Sequence, residues 1–107
     1  MRYRVRVTLR AKAAIDEQIG YIANMRQSPT NALRVLEAIE QSIDSLATMP
    51  ERGALAPEDA YVDYSVRMLI IMRVYLLLYR IDESGGTVVV VGFRHGSRLP
   101  RPGDLGE

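Results

Sequence analysis

The run from Val66 to Ile81, VRMLIIMRVYLLLYRI, limits the folds open to this chain more than any other stretch. It consists almost wholly of strand formers, yet it is far longer than an ordinary strand of about five to six residues. It must therefore fold back on itself. The bend is expected at Met72-Arg73, although no Gly, Asn or Pro marks it. A second signal follows directly. DESGG, residues 82–86, closes a hairpin, and Thr87 to Phe93 returns as a further strand. Val88 to Val91 is apolar at every position, so it should be a central strand with both faces covered.

The rest of the chain supplies an edge and a lid. RYRVRVTL alternates, with Arg2, Arg4 and Arg6 on one side and Tyr3, Val5 and Val7 on the other, which is the period of a half-buried strand. Thr8 can cap the helix that follows, AKAAIDEQIGYIANMRQ, where Ile15, Ile19 and Ile22 fall on one stripe. Gly20 inside it is expected to permit close packing. Ser28-Pro29 then reads as a cap and first helical residue. The second helix carries Leu36, Ile39, Ile43 and Leu46 on one face and stops before Met49-Pro50. Residues 54–65 read as a surface loop. The expected fold class is α+β, in the order β-α-α-β-β-β, with a helical hairpin packed on a mainly antiparallel sheet. Residues 1–98 form a single domain and residues 99–107 a flexible C-terminal tail, too poor in apolar side chains to fold by itself.

Charge is nearly balanced at +1, but its distribution is not. Residues 1–12 carry five basic and no acidic side chains, residues 13–63 three against nine, and residues 64–101 six against two. The helical layer should be the acidic side, and the open face and ends of the sheet the basic side. Thirteen of the fourteen basic residues are arginine, the side chain suited to bidentate contact with carboxylate or phosphate. The chain has no cysteine, which excludes disulfides and thiolate metal sites. No metal-ligand or nucleotide-binding motif occurs, so neither metal nor cofactor is expected. The N-terminus has no apolar stretch of a secretory signal, and Met68 to Leu78 is too short to span a bilayer. A soluble, cytoplasmic protein with no membrane partner is the expectation.

Two chemistries fit these residues. RNA cleavage by attack of a 2′-OH needs cations for the developing charge and one group to move protons. Arg67, Arg80, His95 and Arg98 form such a set, with Tyr75 or Tyr79 as an alternative to the histidine. The plainer alternatives are a cross-strand salt bridge for Arg67 or Arg80, to Asp63 or Asp82, and a polar strand end for His95. Alternatively, the chain binds protein partners through a sheet edge or a groove of the helical hairpin. Arg67, Arg73, Arg94, His95 and Arg98 would then be the partner-binding residues, with adaptable contacts from Met25, Met49, Met68 and Met72.

The order of motifs resembles a known family. AIDEQIGYIA in the first helix, NALRVLEAIEQSIDSLATMPERG across the second, then VRMLI, VYLLLYRID and a last strand leaving through HGSR are similar to the RelE/ParE superfamily of type II toxin–antitoxin toxins, and to its ParE-like branch. The resemblance runs from about Tyr3 to Arg98. It implies a small α+β toxin neutralised by a cognate antitoxin. ParE-like members inhibit DNA gyrase, and RelE-like members are ribosome-dependent endoribonucleases that cut mRNA. A third outcome is an inactive homologue that only binds its partner. Arg67 matches the arginine entering the family's middle strand, Tyr79 and Arg80 its Tyr-Arg pair, and His95 and Arg98 its terminal His-x-x-Arg. The ribonuclease branch generally adds lysines or a glutamate on the segment before the middle strands and a tyrosine after the last strand. Here residues 54–65 offer Glu58 and Asp59 but no lysine, and nothing aromatic follows Phe93. Gyrase inhibition is therefore the expected activity.

Overall fold

The computed structural model describes residues 2–105. Strand β1 spans Arg4–Val7 and runs into helix α1, Leu9–Gly20. Thr8 caps it as expected, its hydroxyl accepting the Ala11 amide at 3.1 Å. The helix then widens into one π-helical turn, Tyr21–Met25, directly after Gly20. A Cβ placed on Gly20 would meet no heavy atom within 4 Å, so this glycine does not serve close packing. Helix α2, Pro29–Ser45, begins with proline in its first turn; Ser28 sits at the cap, but its hydroxyl makes no capping bond.

Strands β2 (Ala54–Leu55), β3 (Arg67–Ile71), β4 (Tyr75–Asp82) and β5 (Thr87–His95) complete a five-stranded sheet in the order β1-β5-β4-β3-β2. Only β1 and β5 are parallel, so the sheet is mainly antiparallel and β5 is internal, as its valines require. The long apolar run bends where expected. The Val74 amide donates to the Ile71 carbonyl at 3.1 Å, and Met72 (φ 53°) and Arg73 (φ 63°) both take the left-handed conformation. Tight hairpin turns of this hand normally rely on Asn and Gly.

Residues 54–65 are not a loose loop. After the two residues of β2, a 3-10 turn, Pro57–Tyr61, lies across the second face of the sheet. That face is therefore covered and not open. Ala56 and Val66 pack there on Leu78, Val89 and Val91, with Leu105 from the C-terminal segment at the margin. The larger core lies on the other face, where Ile15, Ile22, Val35, Ile39 and Leu46 from the helices meet Leu77, Tyr79, Val88 and Val90. Each such side chain stabilises the fold by roughly 1.5–3 kcal/mol through burial. The valine run explains the second layer, since a strand apolar on both faces needs two covers.

A β-bulge sets which residues face which layer. Leu78 pairs with Gly92 but Tyr79 with Val90, leaving Val91 as an extra residue on β5. Val88 and Val90 face the helices, and past the bulge so does Phe93. Arg94 is thereby turned to the second face. The helices expose Asp16, Glu17, Glu37, Glu40 and Asp44 but also Arg10, Lys12, Arg26 and Arg34, so the lid is mixed in charge and not the acidic layer expected. No helix among the described residues is long and apolar enough to cross a membrane.

Candidate partner-binding site

Antiparallel register decides which candidate residues can act together. Arg80 lies opposite Val89, close to the β4–β5 turn, whereas His95 lies opposite Tyr75 at the far end of the same pair. The six residue steps from Val89 to His95 separate the two by about 20 Å at roughly 3.3 Å per residue. Arg67, opposite Tyr79, belongs with Arg80, and Arg98 follows His95. The four residues expected as one ribonuclease set thus form two pairs at opposite ends of the sheet. The expected continuous cationic surface divides in the same way. Arg4 pairs with Thr87 at the turn end, while Arg98 lies beyond the other. The signal was present in the sequence: Arg80 stands just before the DESGG turn, and His95 stands a full strand after it.

At the turn end, Arg67 donates from Nη1 to the Gly53 carbonyl at 2.7 Å and to the Glu51 carbonyl at 3.3 Å. It staples the connection from α2 to β2 and does not pair with Asp63 or Asp82. Arg80 lies 5.6 Å over the ring of Tyr64 in a cation–π contact. Arg73 is exposed in the β3–β4 turn, which lies at the far end: Tyr75, just after it, pairs with His95, and the Val74 carbonyl accepts the Gly96 amide at 2.7 Å.

At the far end, Arg94 is not a surface cation. It is 4% exposed and held by Glu58, itself 1% exposed, with Nη2 donating to Oε1 at 3.3 Å and Nε to Oε2. Its expected place in a docking surface fails because the bulge directs it into the second layer, where a charge persists only when paired. Arg94 instead positions its neighbour, since Nη1 donates to the Arg98 carbonyl at 2.7 Å.

His95 stacks edge-on against Tyr75, with ring centroids 5.6 Å apart. Its Nδ1 accepts the Ser97 amide at 3.0 Å and lies 2.7 Å from the Ser97 hydroxyl. The amide can only donate, so the neutral ring carries its proton on Nε2. Arg98 is exposed, and its Nη1 donates to Asp104 Oδ2 at 3.1 Å. Arg101 joins the cluster, its amide donating to Asp104 at 2.8 Å and its Nε lying 3.8 Å from Asp104 Oδ1. Burial pushes the Asp104 carboxyl up, but the Arg101 amide, the Arg98 hydrogen bond and the two guanidinium charges outweigh it and hold its pKa below the ordinary value.

Sequence reasoning noted Glu58 but missed its pairing with Arg94, and it missed Arg101 and Asp104. That pairing was legible in principle, because a charged residue inside an apolar strand calls for a buried counter-charge. Asp104 gave no signal, since its role depends on the segment after β5 doubling back. Within the segment expected as a flexible tail, Leu105 packs at the margin of the second face while Leu99 and residues 101–103 are exposed; residues 106 and 107 are outside the described residues.

The sequence matches, over residues 5–100, the family model described as ParE toxin of the type II toxin–antitoxin system parDE. It is 34% identical over 92 residues to Toxin RelE2 of Caulobacter vibrioides, covering 86% of this chain and 93% of that one. The fold is similar to the chromosomal ParDE toxin–antitoxin system from P. aeruginosa, with a TM-score of 0.66, 21% identity and 87% and 95% of the two chains covered. It is also similar to the RelBE2 toxin–antitoxin complex from Mycobacterium tuberculosis, with a TM-score of 0.57, 23% identity and 92% and 95% covered.

Proposed function

The chain belongs to the ParE toxin family of type II toxin–antitoxin systems, and from that premise we propose that it poisons its target by binding, in the ParE manner at DNA gyrase, and is neutralised by a cognate antitoxin. One observation carries the choice of binding over RNA cleavage. The register of β4 against β5 separates Arg67 and Arg80 from His95 and Arg98 by about the length of a strand, so no single phosphodiester reaches both pairs. A further feature agrees with it: Arg67 of the ribonuclease set is already engaged by the Gly53 and Glu51 carbonyls.

A second reading is favoured by the likeness to a toxin named RelE2. In it the chain cuts mRNA on the ribosome, and the chemistry is confined to the far end, with His95 moving the proton and Arg98 and Arg101 carrying the phosphate charge.

One experiment separates these readings. Expression without antitoxin is followed by parallel measurement of plasmid supercoiling, transcript integrity and growth. The binding reading expects relaxed plasmid and intact transcripts, and purified protein that inhibits gyrase in vitro. Untouched supercoiling at concentrations that stop growth would overturn it. Cleaved transcripts, abolished by His95→Ala, would establish the ribonuclease. An absence of any growth defect would leave a partner-binding homologue without toxicity. Antitoxin affinity is expected to weaken as salt rises, because exposed arginines are screened by added ions.

A further inference from the structure

Beyond Val90, β5 loses the partner on its outer side. The β1 ladder ends there, and α1 runs alongside with the small residues Ala13 and Ala14 facing the gap. Two contiguous clefts of about 220 Å³ and 300 Å³ follow this edge and share Ala14, Glu17, Phe93, Arg94 and Arg98. The chain's own C-terminal segment lies in the first of them, and the way it is held reveals what the cleft accepts. Asp104 meets Arg98 through one oxygen at 3.1 Å and, through the same oxygen, the Arg101 amide at 2.8 Å. The next residue, Leu105, lies over Gly92: a Cβ at position 92 would stand 2.9 Å from the Leu105 Cδ2. A carboxylate seat and an aliphatic seat are thus side by side, the first made by a cation and the second by a missing side chain.

The carboxylate seat is also built from inside. Glu58 holds Arg94, Arg94 holds the carbonyl of Arg98, and Arg98 holds Asp104, so a chain of bonds runs from the buried pair to the surface. This fixes the backbone from which Arg98 projects while leaving its guanidinium exposed. The segment itself is loosely retained. Leu99 is 80% exposed, Arg101 is mostly exposed, and ion pairs at such positions contribute little.

We propose that this cleft is a docking site for an extended peptide segment of a protein partner, one bearing a carboxylate followed by an aliphatic side chain, and that residues 99–105 are an intramolecular stand-in which the partner displaces. The proposal rests on the reading of this chain as a protein-binding toxin. A peptide fits better than a nucleic acid because the Leu105 seat over Gly92 is apolar and takes an aliphatic side chain. Displacement makes apparent affinity depend on how often the strap is open, so loosening the strap tightens binding of an external peptide.

The test uses the intact chain and a fluorescent peptide of the strap's own sequence, LPRPGDL, followed by anisotropy. Asp104→Asn with Leu105→Ser frees the cleft and is expected to raise peptide affinity on the order of tenfold over the unsubstituted chain. Replacing the peptide's Asp by Asn, or adding Arg98→Gln to the protein, is expected to cancel that gain. Equal affinity for the free and strapped proteins, indifference to the peptide's carboxylate, or stronger competition by a uridine oligonucleotide than by unlabelled peptide would overturn the proposal. Gyrase inhibition by the unsubstituted chain is measured alongside. Inhibition without peptide binding removes the docking site and leaves the functional reading standing. Peptide binding without inhibition does the reverse.

Discussion

Tyr79 and Gly53 are fitted to each other across the sheet: the phenol oxygen accepts the Gly53 amide at 3.0 Å, and a Cβ on Gly53 would lie 2.5 Å from that same oxygen. The phenol in turn donates to the Pro50 carbonyl at 2.6 Å. Both partners lie in the connection from α2 to β2, so one buried tyrosine fixes where the helical lid rejoins the sheet.

Tyr79→Phe should therefore leave a buried donor and acceptor without partners and cost about 1–3 kcal/mol. Gly53→Ala should also destabilise, because the added methyl would lie 2.5 Å from the Met68 carbonyl, which is backbone and cannot swing aside. Urea unfolding measures both. Burial raises the Tyr79 pKa above its ordinary value, chiefly by desolvation, with the Gly53 hydrogen bond and nearby Arg67 and Arg52 opposing it. A raised folded-state pKa means that this contribution is complete below about pH 10 and is lost as pH rises further. Tyr79→Phe should accordingly flatten part of the alkaline fall in stability.

Glu58→Ala should be among the most damaging single changes at about 3–5 kcal/mol, because it strands the Arg94 guanidinium in the second layer. Replacing both residues by methionine should recover much of that loss in thermal unfolding. It should still disturb Arg98, whose carbonyl loses the Arg94 donor.

The β3–β4 turn invites a stabilising change. Met72→Asn with Arg73→Gly places turn formers where two ordinary side chains are held at positive φ. The pair should raise stability by about 1–2 kcal/mol, since each left-handed L-residue carries a penalty of that order. An unchanged urea midpoint would mean that the native turn is not strained.

Acid should release the strap before it unfolds the domain. The Asp104 pKa is depressed, so its contribution is complete above the unfolded value of about 3.9 and is lost as pH falls through the folded value. Amide hydrogen exchange at residues 101–105 should accelerate below about pH 4 while β5 stays protected. Asp104→Asn should show the fast exchange already at neutral pH.

The sequence by itself determined the two helices, four of the five strands and their order, but not the short β2 and the 3-10 turn within residues 54–65. Period-2 alternation at Tyr3 to Val7, the isoleucine stripes of the two helices and the doubly apolar valines each have one low-energy placement, and each adopts it. The bend at Met72-Arg73 followed from length alone. The resemblance to the toxin family rested on the same local motifs and reached the family to which the chain belongs. Only the tertiary structure decided how the charged residues combine. One extra residue at Val91 shifts the alternation of β5, and a shift of one residue exchanges the faces of every side chain beyond it. That shift sends Arg94 inward to Glu58, while strand register carries Arg80 and His95 apart and the returning C-terminal segment brings Asp104 to Arg98. Apolar pattern is a local property that burial enforces position by position. Partnership between charges depends on register and chain return, which no short stretch of sequence contains.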